Sequence, residues 1–138
     1  QIVERTRKLF LNAQISVSKT NALEQNIDNL QSTLLLPILN AVVENACEQD
    51  FESKVTISVK TEKNKLTIEI SDTSGGIPEN LQPFLFDPSK SSKKGGTGLG
   101  LAIAKQIALS MDADLELSKS DQIGSVFSIS FQVINFTL

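Results

Sequence analysis

A chain of 138 residues with 40% apolar and 21% charged side chains is one domain in size and can bury a core without cross-links. Its 13 basic and 16 acidic side chains, net −3, argue against nonspecific nucleic-acid binding, and no run approaches the ~20 apolar residues of a membrane-spanning helix. With one cysteine and no histidine, it has no internal disulfide, no Cys/His zinc site and no Ser-His-Asp or Cys-His catalysis of its own.

Gln1 to Arg5 include neither a starting methionine nor the basic-then-apolar pattern of a signal peptide, so the chain reads as excised from a longer protein. Through Asn12, Val3, Leu9 and Phe10 mix with Glu4, Arg5, Arg7 and Lys8 as a short helical signal, and Ile15 and Val17 alternate with Ser16 and Ser18 as a short strand. From Ser32 to about Gln49, Leu35, Leu39, Val42, Val43 and Ala46 recur at helical spacing, with Pro37 tolerable only near the first turn.

Val55, Ile57 and Val59, then Leu66, Ile68 and Ile70, alternate with polar residues around a turn at Glu62 to Lys65, the pattern of an antiparallel hairpin. Thr73 to Gly98 holds five of the seven glycines and three of the four prolines, with a short turn at Glu79 to Phe84; an ordered loop of this length is usually functional. Leu99, Ile103, Ile107 and Met111 define a second amphipathic helix, followed by strands at Asp114 to Ser118 and Ser125 to Val133 around a turn at Asp121 to Gly124. This order is not the alternation of a doubly wound fold and predicts an open sheet with helices on one face.

Three segments carry chemistry. In Gly95-Gly96-Thr97-Gly98-Leu99-Gly100-Leu101, closely spaced glycines open a helix, where backbone can approach a ligand and free N–H groups with the positive dipole end attract phosphate. A flexible cap is the bland alternative; a Walker loop or dinucleotide fingerprint does not fit, because no strand immediately precedes and Gly-Lys-Ser/Thr is missing. In Asp72-Thr73-Ser74-Gly75-Gly76-Ile77-Pro78 a carboxylate at a strand end can accept from an exocyclic amine while Gly76 lets a flat ring lie on backbone; an Asx turn closing the strand is the alternative. Asn45, on the edge of the first long helix's apolar stripe, offers the kind of oxygen Mg²⁺ prefers, with Glu44 and Asn40 pointing away.

Together these segments resemble the nucleotide-binding fold shared by histidine kinases, DNA gyrase, the heat-shock chaperone of 90 kDa and MutL. Glu44-Asn45-Ala46 is similar to the N box, Asp72 to Ile77 to the G1 box, Leu85-Phe86-Asp87-Pro88 to the F box and Gly96 to Leu101 to the G2 box. GTGLGLAIAKQI preceded by LFDPSKSSK resembles histidine kinases in particular.

The resemblance implies an α+β, two-layer α/β sandwich (the Bergerat fold): a mixed, mostly antiparallel sheet with helices on one face. Residues 1–12 would be the trailing end of a dimerisation helix and 13–138 the ATP-binding catalytic domain. The implied cofactors are ATP and Mg²⁺. Asn45 would ligate the metal, Asp72 would read adenine, and Lys93 would reach the terminal phosphate from a lid over Ser89 to Thr97 that is mobile without nucleotide. Gly76, Ile77, Phe86, Gly96, Thr97, Gly98, Leu99, Gly100 and Leu101 would complete the nucleotide site.

The γ-phosphoryl would pass to a histidine on a separate dimerisation domain, and a response-regulator receiver domain would be the further partner. The fragment would be cytoplasmic, in a membrane-anchored sensor, without membrane contact of its own. Ala41 stands where the gyrase branch places its water-activating glutamate, so efficient hydrolysis is not expected.

Departures from the histidine-kinase pattern are Ala41 (commonly Asn), Glu48 and Gln49 (commonly Lys, then an aromatic), Ser74 (usually Gly) and Ser89 (often aromatic). They keep open a degenerate domain that docks to partners with weak or no turnover; related serine kinases of the same fold are the third reading.

Overall fold

The computed structural model describes residues 14–20, 29–50, 52–88 and 99–133. The helical signal over residues 1–12 and the lid over 89–97 lie outside these.

Among the described residues five strands form one sheet: β1 (Gln14–Thr20), β2 (Lys54–Glu62), β3 (Lys65–Asp72), β4 (Asp114–Ser120) and β5 (Ser125–Gln132), in the order β1-β2-β3-β5-β4. β1 runs parallel to β2 and the remaining pairs are antiparallel, the mixed, mostly antiparallel sheet expected. The β2–β3 hairpin turns at Lys63 and Asn64, both at positive φ (48° and 66°), as a two-residue turn matched to strand twist requires.

Two-residue alternation decides which sheet face is covered. The register pairs Ile57 with Ile70, Ile68 with Ile129, Ile70 with Phe127 and Leu66 with Phe131, and all of these side chains are buried. Leu115 opposite Ile129 extends the same layer to β4. The other face is polar: Lys60 pairs with Glu69 at 3.0 Å, and the Ser118 hydroxyl donates to Ser128 at 2.7 Å.

Helices α1 (Asn29–Gln49) and α2 (Gly100–Ser110) join this apolar layer in one core. In α1 the expected positions Leu35, Leu39, Val42, Val43 and Ala46 are all buried, joined by Ile38 and Cys47. The helix begins earlier than expected, so Pro37 lies well inside it and, having no N–H, leaves one bond of the ladder unmade there.

α2 departs further from its sequence pattern. Leu99 and Ile103 are 41% and 54% exposed, whereas Ala102, Ala104 and Ala108 are buried. Leu99 and Ile103 therefore face outward, Ile107 and Met111 are half-buried against the core, and methyl groups lie innermost, where a short side chain lets helix backbones approach closely. No helix among the described residues is long and apolar enough to cross a membrane.

Candidate nucleotide site

Asp72 ends β3, and the same alternation that buries Leu66, Ile68 and Ile70 turns its carboxylate toward the helices. The side chain is 7% exposed. Its Oδ1 accepts from the Ser74 amide at 3.0 Å, the Ser74 hydroxyl at 2.5 Å and the Ser125 amide at 3.4 Å. Among the described residues Oδ2 has no hydrogen-bond partner. An Asx turn is thus present, as the bland reading of this segment required, yet it occupies only one carboxylate oxygen.

The strand end is tied down on both sides. The Lys54 amide donates to Thr73 Oγ1 at 2.9 Å and the Thr73 amide to the buried Ser53 hydroxyl at 3.3 Å, joining it to the start of β2. Beyond it, the Gly75 amide donates to the Ile123 carbonyl at 3.1 Å, and the Ile77 amide to Ser120 Oγ at 2.7 Å. The Gln82 side-chain amide then donates to the Ile77 carbonyl at 2.9 Å.

Gly76 sits at φ 79°, and a Cβ there would meet the Asp121 carbonyl oxygen at 1.9 Å. Its lack of a side chain is thus used by close packing against the β4–β5 turn. That turn is held by Asp121, whose Oδ1 accepts from the amides of Ile123 at 2.9 Å and Gly124 at 3.2 Å. These amides, and then Lys119, hold the Asp121 carboxyl below its ordinary range.

Asn45 lies toward the C-terminal end of α1 and is 8% exposed, more deeply placed than a stripe edge suggests. Near it the Cys47 thiol is fully buried, and burial, then the charges of Glu44, Asp72 and Glu48, raise its pKa above 9.0. β3, which ends on Asp72, also packs against this helix. A direct link exists as well: the Ser74 hydroxyl lies 3.2 Å from the Gln49 amide oxygen.

At the start of α2, the Ile103 amide makes the helical bond to the Leu99 carbonyl at 2.8 Å. Gly100 is exposed, and among the described residues a Cβ there would meet nothing within 4 Å. Phe86 packs edge-on against Phe127, centroids 6.4 Å apart, and Lys105 Nζ stands 5.1 Å from the Phe86 centroid while donating to the Leu115 carbonyl at 2.6 Å.

Asp72, Gly76 and Ile77 thus form one cluster with the β4–β5 turn, and Asp72 reaches α1. Phe86 and Leu99 instead line an apolar groove of about 420 Å³ on the outer side of α2, with Pro88, Ala102, Ile103 and Ile107; neither Asp72 nor Asn45 borders it. Lys93, Gly96, Thr97 and Gly98 lie outside the described residues. Sequence reasoning passed over Ser125, Gly124 and Lys105. A glycine immediately before the last alternating strand was the available signal for the first two; Lys105 gave none.

The family model described as histidine kinase-, DNA gyrase B-, and HSP90-like ATPase matches residues 31–135. The signal transduction histidine-protein kinase ArlS of Staphylococcus aureus (strain USA300) is 39% identical over 97 residues, 64% of this chain and 21% of that protein. The chain therefore spans about a fifth of the length of the curated relatives it matches.

Among solved structures, the mycobacterial sensor histidine kinase MprB superposes with a TM-score of 0.76 at 21% identity, covering 96% of this chain and 91% of that one. The catalytic domain of the histidine kinase ThkA, nucleotide free, gives 0.74 at 22% identity over 96% and 90%. Full-length ShkA in complex with AMPPNP gives 0.82 at 19% over 100% and 30%. At these identities the likeness establishes the fold.

Proposed function

Because the chain belongs to the histidine kinase-, DNA gyrase B- and HSP90-like ATPase family, we propose that it is the ATP-binding catalytic domain of a two-component sensor histidine kinase. The observation that carries this reading is the Asp72 carboxylate: nearly buried, with Oδ1 saturated and Oδ2 partnerless among the described residues. A buried acceptor without a partner is costly, and the exocyclic amine of adenine supplies the donor it lacks. The ArlS match and the AMPPNP complex of ShkA support the same reading.

In this reading Ile77 backs the adenine ring while Asp72 accepts its amine. Gly100, Leu101 and the rest of the first turn of α2 direct N–H groups and the positive dipole end at the phosphates. Gly96, Thr97 and Gly98 extend that cradle, and Lys93 neutralises the terminal phosphate. Asn45 offers one hard oxygen ligand, which suits Mg²⁺, an ion usually held by one or two protein groups plus phosphates and water. When bound, the ion offsets charge on the transferred group.

The phosphorus–oxygen bond to ADP breaks as a phosphorus–nitrogen bond forms on an imidazole. With no histidine in the chain, that imidazole belongs to a separate dimerisation domain, and a receiver domain takes the group onward. Residues 1–12 lead to the dimerisation domain, and the whole works on the cytoplasmic side of an anchored sensor. Ala41, half-buried against the core, provides no base for water.

The test supplies γ-labelled Mg-ATP and a helical domain bearing one accessible histidine. The expected product is a phosphate on that domain that is lost in acid and kept in alkali. A phosphate that survives acid would assign a hydroxyl acceptor, and no transfer together with no nucleotide binding would leave the docking reading.

A further inference from the structure

The Asp72 carboxylate is held asymmetrically, and one residue, Ser74, supplies two of the three hydrogen bonds to Oδ1, through its backbone amide and its hydroxyl. The third comes from the Ser125 amide across the sheet at 3.4 Å. The Ser74 hydroxyl also touches Gln49 at the end of α1, 3.2 Å away. One hydroxyl proton cannot serve two acceptors, and the carboxylate, charged and closer at 2.5 Å, holds the stronger claim. Turning the Gln49 amide about its own axis places its NH₂ toward Ser74 Oγ, which gives an unbroken relay from Gln49 through Ser74 to Asp72.

We propose that Ser74 is a positioning and specificity residue: relayed to Gln49, its hydroxyl locks Oδ1 of Asp72 so that only Oδ2 is presented to the base. This rests on the reading of Asp72 as the adenine contact. A carboxylate fixed in this way offers one acceptor in one direction. It rewards a base with an amine at its six-position and penalises one with a carbonyl there, because two acceptors then face each other. Removing the hydroxyl leaves two backbone amides on Oδ1 but frees the carboxylate to rotate away from the amine.

The experiment titrates the 138-residue chain, Ser74→Ala, Ser74→Thr and Asp72→Asn with ADP and with purine riboside 5′-diphosphate, which lacks the amine, while the melting midpoint monitors folding. Ser74→Ala is expected to lower ADP affinity about tenfold and to leave the amine-free nucleotide unchanged, since a hydrogen bond to a charged group is of that order. Ser74→Thr, which keeps the hydroxyl, restores the discrimination. Equal losses for both nucleotides in Ser74→Ala, or no loss for either, would overturn the positioning role while a selective ADP loss in Asp72→Asn kept the adenine reading intact. Parent-like ADP binding by Asp72→Asn, or none by the parent chain, would overturn both.

Discussion

A Cβ on Gly124 would lie 1.7 Å from the carbonyl oxygen of Asp72, so the β4–β5 turn is pressed against the backbone that delivers the buried carboxylate. Gly124 itself does not need a positive φ; the clash alone forbids a side chain. Gly124→Ala should cost about 3 kcal/mol of stability or more, because backbone rather than a flexible side chain must move. Gly76→Ala combines a similar clash with φ 79° and should be at least as severe, while Gly75→Ala, at φ 92° but in open space, should cost about 1 kcal/mol. Denaturant melts of the three variants check this order.

The two faces of α2 should respond in the reverse of what residue size suggests. Ala108 is fully buried, so Ala108→Leu overpacks the core and should cost about 1–3 kcal/mol. Ile103 is 54% exposed, and Ile103→Thr should stay within about 0.5 kcal/mol. A greater loss in the isoleucine variant would place the buried face wrongly.

These cases mark how far the sequence could be read. The two hairpins and the buried face of α1 were legible because Val55, Ile57, Leu66, Ile68 and Ile70 alternate and Leu35, Leu39, Val42 and Val43 repeat at helical spacing, with matching burial. In α2 only Ile107 and Met111 of the large-residue stripe pack against the core, and the innermost positions are alanines, which carry little hydropathy signal yet are what a close helix contact needs. The Asp72 motif was visible, but its setting was not. Ser125 lies 53 residues further along the chain, and the Ser74–Gln49 contact joins two departures from the family pattern, 25 residues apart, that only the folded chain brings together.

Cys47 should shape the alkaline limb of stability. The unfolded thiol titrates at its ordinary 9.0, and burial with three nearby carboxylates moves the folded one higher. Below 9.0 both states keep the proton; above it the unfolded state loses its proton first, so stability falls as pH rises toward the folded value. Cys47→Ala should flatten this limb in melts between about pH 8 and 10.5, whatever it costs overall through lost volume. An unchanged slope would contradict the assignment.

Asn45→Ala should remove the part of nucleotide affinity that depends on Mg²⁺ while leaving metal-free binding close to the parent. The comparison is a titration of parent and variant with ADP in Mg²⁺ and in chelator. Identical Mg²⁺ enhancement in the two proteins would mean that the amide is not a ligand.

The central claim is that the end of β3, the C-terminal half of α1 and the mouth of α2 serve one adenine nucleotide. Calorimetric titration of the 138-residue chain with a nonhydrolysable ATP analogue, with and without Mg²⁺, tests it most directly. One site per chain, tighter with the metal and accompanied by a raised melting midpoint, is the predicted result. No heat and no thermal shift with the analogue at about 1 mM would contradict it, since an affinity too weak to register there supports no ATP-dependent role.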